Sequence, residues 1–540
     1  MTELTYAPKQ RTGFTCEIEI DDQPVFTLER APDESGDRIT GDRSFTTNEA
    51  LIDLVTGFGT DENFARRTRK PGETDRLREQ SDDLRKDATF LADLISALGD
   101  ETERGWCSSC FGYATHRTSA TGRLKGNAFI CESCGAATKK CSVTRCPNFA
   151  IRSSSRFALK SCAEHSHAIP SFERADEHLD DFTQVADWLT PTRRNAKRTL
   201  IKAGAFLGTA AVTAPLAFVA APAIGGIIGG WGTGLTGAAA SSHGLAILGG
   251  GTLASGGAGM VGGTMVVTAV GSSLLGAKGV AVASAYTSED RSFAFELVRE
   301  GDGPTVIFAT GFLTEGADPW AEWRPIIEQR VPSGRVYRLR WGSKELRDLL
   351  GFAGDQFGAA GATSFAAKVA AKATKIAPKA LGAVAAADAA TDITKNPWHV
   401  ARRRAQMTGA ALASIIGHVD ESPVILMGHS LGGLVMASAA DALGSGDLAP
   451  RVSELHLLGA AVDDDQPLSR IAAAVDGTVF NYWSSKDKVL SLAYRAAQLN
   501  QKAAGSTGFT ERRAGVKNVN VSKQVSDHSA YVPNVTLKAS

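Results

Sequence analysis

Between Ala203 and Ala277 the sequence has no Asp, Glu, Lys or Arg. A tract without charge is expected to be buried, either in lipid or in protein. The whole chain also lacks net charge, with 58 Lys+Arg against 58 Asp+Glu. No overall basic field is present to hold nucleic acid, and no nucleic-acid partner is expected. The N-terminal "MTELTYAPKQRTGFTCEIEI" has acidic residues and no apolar core, so no signal peptide is expected. Cysteine is nearly absent outside one region: Cys16 stands alone, and the other seven lie between Cys107 and Cys162. Without a secretion signal, such clustering favours metal ligation by reduced thiols over disulfides.

The uncharged tract has room for two to three spans, since each needs about 20 mainly apolar residues. Gly and Ala dominate it, and pairs such as Gly204/Gly208, Gly225/Gly229, Gly230/Gly234 and Gly259/Gly263 would let helices approach closely in lipid. Pro215, Pro222 and Gly249–Gly251 are natural break points. The expectation is a membrane-associated helical hairpin, or a pair of them, over 203–277. A basic flank of Arg193, Arg194, Lys197, Arg198 and Lys202 should stay cytoplasmic. The alternative is a buried Ala/Gly-rich helical pair inside a soluble protein. Two G-x-G-x-x-G matches, "GTGLTG" and "GAGMVG", follow no strand and precede no suitably placed acid, so no dinucleotide site is read there.

Around this tract the chain divides into segments. Residues 1–105 read as a β-rich piece ("CEIEI", "VFTLER") followed by a helix from Thr74 to Leu98. Residues 106–168 form the cysteine module, and 169–202 a polar helix with the basic flank. From 290 to 535 short β runs alternate with helical stretches: "FAFELV", "TVIFATG", "VYRLRW", "PVILMG", "SELHLLGA", "TVFNYW" and "VKNVNV". That alternation predicts an α/β domain with a mostly parallel sheet. An Ala-rich insertion over 343–397 is a candidate lid.

Two C-x2-C pairs, Cys107/Cys110 and Cys131/Cys134, have the spacing of a structural zinc ribbon. Cys141, Cys146, Cys162 and His165 supply a second set. Eight ligands in four pairs suit two tetrahedral zinc ions, paired either sequentially or in a cross-brace. His116 and His167 are spare candidates. Closed four-ligand sites leave no open position for chemistry, so the metal role is structural. Such modules dock partners, and a protein partner or an anionic lipid surface is expected for this one; Arg117, Arg123, Lys125, Lys139, Lys140 and Arg145 make it locally basic.

"VILMGHSLGGLVM" places G-x-S-x-G between a short apolar run and a small-residue helix, the context of a nucleophile elbow with Ser430 at its tip. An acid and then a histidine should follow. Asp487 comes after "GTVFNYWSS", and His528 after "VKNVNVSKQVSD". His456 lies inside a strand, ahead of the acid, and reads as structural. Asp463, Asp464 and Asp465 are rival acids, and Asp527 reads as a solvated loop residue. For the oxyanion, the donors expected are the N–H groups of Leu431 and of Phe312, the latter in "TVIFATGFLTEG".

The stretches "TGFLTEGADPW", "YRLRWGSKELRDLLG", "NPWHVARRRAQMTGAALA", "GHSLGG", "LHLLGAAV" and "NYWSSKDKVLSLAYR" resemble the domain of unknown function 726 group of α/β-hydrolases. That group includes the transmembrane and coiled-coil domain proteins and fungal lipid-droplet phospholipases. The resemblance runs from Ala203 to Val532 and does not account for residues 1 to about 170. It implies the α/β-hydrolase fold, membrane association and lipid ester hydrolysis, with Ser430, Asp487 and His528 as the triad. Many members carry Gly-Phe-Ser-Leu-Gly at the elbow, where this chain has His429. The expected function is a membrane-associated serine hydrolase of a lipid ester, its soluble parts facing the cytoplasm. The alternatives are a membrane-active protein or a zinc-module interaction protein in which the hydrolase fold is a scaffold.

Overall fold

A computed structural model of the chain describes residues 2–9, 13–31, 37–67, 71–120, 128–152, 154, 161–166, 169–175, 177–190, 279–311, 318–342, 397–421, 423–444, 450–494 and 501–540. The expected hairpin over 203–277, the basic flank and nearly all of the 343–397 insertion lie outside the described residues. Among the described residues, no helix is long and apolar enough to cross a membrane. The chain forms two compact units, one built on residues 1–176 and the other on 177–189 with 271–540.

In the first unit, strands β1 (Thr2–Pro8), β2 (Phe14–Ile20), β3 (Gln23–Arg30) and β4 (Asp37–Gly41) form an antiparallel meander. Alternation along β2 buries Phe14, Cys16 and Ile18 on one face, as a half-buried strand requires. That face is covered by two long helices, α2 (Glu49–Arg67) and α3 (Pro71–Ser96), which follow the four-residue α1 (Arg43–Thr46). The segment read as β-rich thus contains a 19-residue helix. Leu51, Val55 and Phe58 recur at helical spacing along it and are buried on the meander.

A second antiparallel sheet comprises β5 (Leu98–Trp106), β6 (Tyr113–Ser119), β7 (Phe129–Cys131), β8 (Ala137–Lys140) and β9 (Phe149–Ile151). The boundary expected at 105/106 falls inside β5. One hydrophobic core also joins the two halves, since Ala128, Ile130, Ala136 and Ala137 pack with the meander and its helices. Asn48 adds a polar tie. Its Oδ1 accepts the Leu51 N–H at the start of α2 (2.9 Å), while its Nδ2 donates to the Gly135 carbonyl (3.0 Å).

The stretch 171–189, expected as a polar helix, is not one. Among its described residues it holds only a 3-10 turn (Phe182–Gln184) and the four-residue α4 (Val185–Trp188). Tertiary packing overrides its helical propensity: Leu179, Phe182, Val185 and Trp188 are buried in the second unit. Leu179 bridges Val419, and Phe182 packs on Phe295 and Tyr337.

The second unit is mixed α/β. Its seven strands are β10 (Ala294–Arg299), β11 (Gly303–Ala309), β12 (Gly334–Arg340), β13 (Val424–His429), β14 (Val452–Leu458), β15 (Val479–Trp483) and β16 (Val516–Asn520). They lie in the order β10-β12-β11-β13-β14-β15-β16, all parallel except the edge strand β10. All seven runs read as strands are strands. Its helices include α5 (Gly279–Glu289), α6 (Pro319–Arg330), α7 (Pro397–Ile416), α8 (Leu431–Leu443) and α9 (Ser469–Ala474). β13 is the central strand and is buried throughout, as an apolar run in a covered parallel sheet should be. The unit extends past residue 535. Ser540 N–H donates to Glu454 (3.1 Å) and its Oγ accepts the Thr478 N–H (3.0 Å), tying the tail to the sheet.

Candidate active site

Ser430 joins the end of β13 directly to the start of α8, with φ 57° and ψ −123°. For a residue with a Cβ this conformation costs about 1–3 kcal/mol and persists only where the surroundings enforce it. Two backbone bonds do so: Ser430 N–H donates to the Leu458 carbonyl (3.1 Å), and Ala461 N–H donates to the Ser430 carbonyl (3.0 Å). Glycine makes the turn sterically feasible. A Cβ on Gly432 would strike the Ala309 carbonyl, and one on Gly428 would strike the Gly432 carbonyl.

Asp487 and His528 follow β15 and β16, so both arrive at the same C-terminal edge of the sheet as Ser430. His528 Nε2 lies 2.8 Å from Ser430 Oγ, and His528 Nδ1 lies 2.7 Å from Asp487 Oδ2. All three residues are buried, and Asp487 is fully so. The other Asp487 oxygen accepts the Leu490 N–H (3.0 Å). The turn that presents Asp487 is fixed by Ser484, whose Oγ donates to the Val525 carbonyl (2.9 Å) on the segment leading to His528.

The other candidates are engaged elsewhere. Asp463 pairs with buried Arg402 and accepts from Tyr494 Oη (2.6 Å). Asp464 accepts from Thr507, and Asp465 from Gln501. Asp527 caps the turn that starts at His528, accepting the Ser529 N–H (3.0 Å). His456 is buried between Glu454 (3.1 Å) and Tyr482 Oη (3.2 Å).

Of the two expected oxyanion donors, Leu431 is the first residue of α8 and Phe312 lies outside the described residues. Gly311, just before Phe312, abuts the elbow: a Cβ there would stand 2.8 Å from the Leu431 nitrogen. His429 has a role the sequence does not announce. Its Nε2–H donates to the His528 carbonyl (2.9 Å). Burial, and after it the neighbouring His528, pushes His429 down to about 3, so its ring is neutral. No local signal could reveal the pair, because the partners are 99 residues apart.

In the first unit the eight expected ligands form two clusters, each with its ligand atoms within 4.8 Å of one another. Cys107, Cys110, Cys131 and Cys134 make one; Cys141, Cys146, Cys162 and His165 make the other. The pairing is sequential. Both clusters could hold a metal ion. Cys107 and Cys134 Sγ are 4.0 Å apart, Cys146 and Cys162 Sγ 3.9 Å, and His165 Nδ1 lies 3.2 and 3.5 Å from Cys162 and Cys141 Sγ. Phe111, directly after Cys110, takes φ 59°, and Gly135, directly after Cys134, takes φ 71°. Ser108 links the clusters, since its Oγ donates to the Phe149 carbonyl (2.6 Å) and accepts the Ala163 N–H beside Cys162 (2.9 Å). His116 is in neither cluster; it stacks on Phe149 (3.7 Å) and donates to the Ala114 carbonyl. His167 lies outside the described residues.

Comparison with known families matches residues 194–537 to the family described as "Protein of unknown function (DUF726)". The chain belongs to this family. Two relatives share part of this chain. A rice protein named "Transmembrane and coiled-coil domain-containing protein STS1" is 34% identical over 148 residues, covering 27% of this chain and 22% of the relative. A Saccharomyces cerevisiae protein named "Probable lipase MIL1" is 30% identical over 142 residues, 26% of this chain and 13% of the relative. The matches therefore span under a quarter of either relative. Among solved structures, an acetyl xylan esterase from Thermoanaerobacterium covers 42% of this chain and 72% of its own at 14% identity, with a TM-score of 0.22. That likeness is too slight to carry weight.

Proposed function

We propose that this DUF726 protein is a membrane-associated serine hydrolase that cleaves a carboxylic ester of a lipid, and that its second unit is an α/β-hydrolase. The observation that carries the reading is the buried relay Asp487–His528–Ser430, linked by bonds of 2.7 and 2.8 Å. In this relay His528 Nε2 takes the Ser430 proton as Oγ attacks the ester carbonyl, then returns it to the leaving alcohol. Asp487 holds the Nδ1–H tautomer and stabilises the imidazolium. The Leu431 N–H, at the positive end of α8, faces the developing oxyanion, with Phe312 N–H as the second donor. Water then enters by the same route in reverse and frees the acid.

The relatives support the coarser parts of this reading: one is named a probable lipase and another a transmembrane protein. The uncharged tract at 203–277 would hold the active site at a bilayer, with the soluble parts facing the cytoplasm. The two sulfur-rich clusters fit zinc. With Zn–S bonds of about 2.3 Å, a tetrahedral site separates its sulfurs by about 3.8 Å, close to the 3.9 and 4.0 Å found here. Bound zinc would cross-link the loops of the first unit and take no part in ester chemistry. That unit is also where a protein partner would dock.

The test is labelling of the detergent-purified full chain with a fluorophosphonate probe, using Ser430→Ala as control. Labelling lost in the variant, followed by fatty-acid release from lipid esters, is the expected result. A wild-type protein that melts cooperatively yet takes up no probe would refute the reading.

A further inference from the structure

We propose that His429 is a positioning residue that sets the separation between base and nucleophile by holding the main chain of His528. The inference rests on the serine-hydrolase reading and adds to it a role for the residue just before the nucleophile.

The two reacting groups are supported very differently. Ser430 stands at the end of the central strand, with neighbours hydrogen-bonded on both sides. His528 opens a three-residue 3-10 turn on a connecting segment beyond the edge strand β16. The side-chain bond to Asp487 persists when His528 becomes an imidazolium, but the bond to Ser430 must change during attack, and both act on the ring alone. His429 adds a tie to the main chain of His528 that is likewise independent of the reacting proton. Its Nε2–H donates to the His528 carbonyl at 2.9 Å, and its ring lies 4.9 Å from that of His528. Because a carbonyl offers no proton, the bond fixes His429 as the Nε2–H tautomer. Tyr531 closes the other side, 5.8 Å from the His429 ring, and is itself anchored by donation to the Gly505 carbonyl (2.8 Å).

The chemistry of the residue suits this task. A buried Lys or Arg could donate the same bond, but its charge would repel the imidazolium that His528 becomes. Phe would fill the space and leave the carbonyl without its donor. A neutral imidazole donates without adding charge, and burial keeps His429 neutral across the working pH range.

The experiment compares the full-length wild type with His429→Phe, which removes the donor, and His429→Gln, which restores an N–H. Readouts are the second-order rate of fluorophosphonate labelling, kcat and KM for a soluble short-chain ester, and the melting temperature. For His429→Phe, labelling and kcat should fall by about ten- to a hundredfold with KM unchanged, the scale expected of a misplaced catalytic group. His429→Gln should recover to within about threefold of wild type. Labelling of His429→Phe at the wild-type rate, or equal loss in both variants, would overturn the proposal. Should His429→Phe fail to fold, His429→Met fills the same space without a donor and carries the same expectations. A wild type that takes up no probe overturns the hydrolase reading itself, and this inference with it. Labelled wild type with unaffected variants overturns the inference alone.

Discussion

Gly311 lies so close to Ser430 that a Cβ on it would stand 2.6 Å from the serine Cβ. The same hypothetical carbon would stand 2.8 Å from the Leu431 nitrogen, the expected oxyanion donor. Gly311→Ala should therefore displace the elbow or cover the donor. A loss of about 10²–10³-fold in kcat is expected, the scale of a lost oxyanion contact. Steady-state hydrolysis of a short-chain ester measures it, and an unchanged kcat would remove Gly311 from the site.

Asp487 and Asp463 should fail in opposite ways. Asp487→Asn leaves the geometry in place but imposes the wrong tautomer on His528, which costs about 10⁴-fold in kcat. Asp463→Asn instead breaks a buried pair with Arg402 and should cost about 3–5 kcal/mol of stability, while the folded fraction still takes up probe. Urea denaturation set beside labelling separates the two, and the reverse pattern would make Asp463 the catalytic acid.

His429 should make the second unit acid-sensitive. Unfolded, the residue titrates near the ordinary 6.5; folded, it is held at about 3. Between those values the unfolded chain binds one more proton, so stability falls as pH falls through that window. From pH 7 to pH 5 this residue alone should remove about 2 kcal/mol. His429→Gln should flatten the slope by that amount in urea melts at the two pH values, and identical slopes would contradict a buried neutral imidazole.

Metal content gives a prediction independent of catalysis. Purified protein should carry two zinc ions per chain by elemental analysis, and His165→Ala should carry one. Chelation should lower the melting temperature of the first unit while leaving probe labelling intact, since no reacting group lies there. Zinc-free protein with an unchanged melt would make the thiols merely structural.

The second unit was readable because its signals are local. Each strand is a short apolar run, Ser430 sits in a pentapeptide between a strand and a helix, and Asp487 and His528 follow their strands in chain order. What escaped was long-range. The bond from His429 to His528 depends on where β13 and β16 place their ends. The spacing of charges over 171–189 suggests a helix, but burial of Leu179, Phe182 and Trp188 gave that stretch other work. Helix α2 was missed because the short alternating strands before it set the character of the whole segment. Cluster pairing was likewise undecided, because spacing alone permits two arrangements and only the loop paths choose.

Asn48 spans what would otherwise pass for two separate modules, starting α2 with one side-chain atom and gripping the Gly135 carbonyl with the other. Gly135 follows directly on Cys134 of the first cluster, so the grip lies one residue from a sulfur. The cysteine loops are thus not a bead threaded onto the chain that could be cut out and moved. They work as a keystone: a fragment cut at residue 106 would keep all of β5 without the loops that brace it, and loosening those loops would slacken a helix that supplies none of the clustered cysteines.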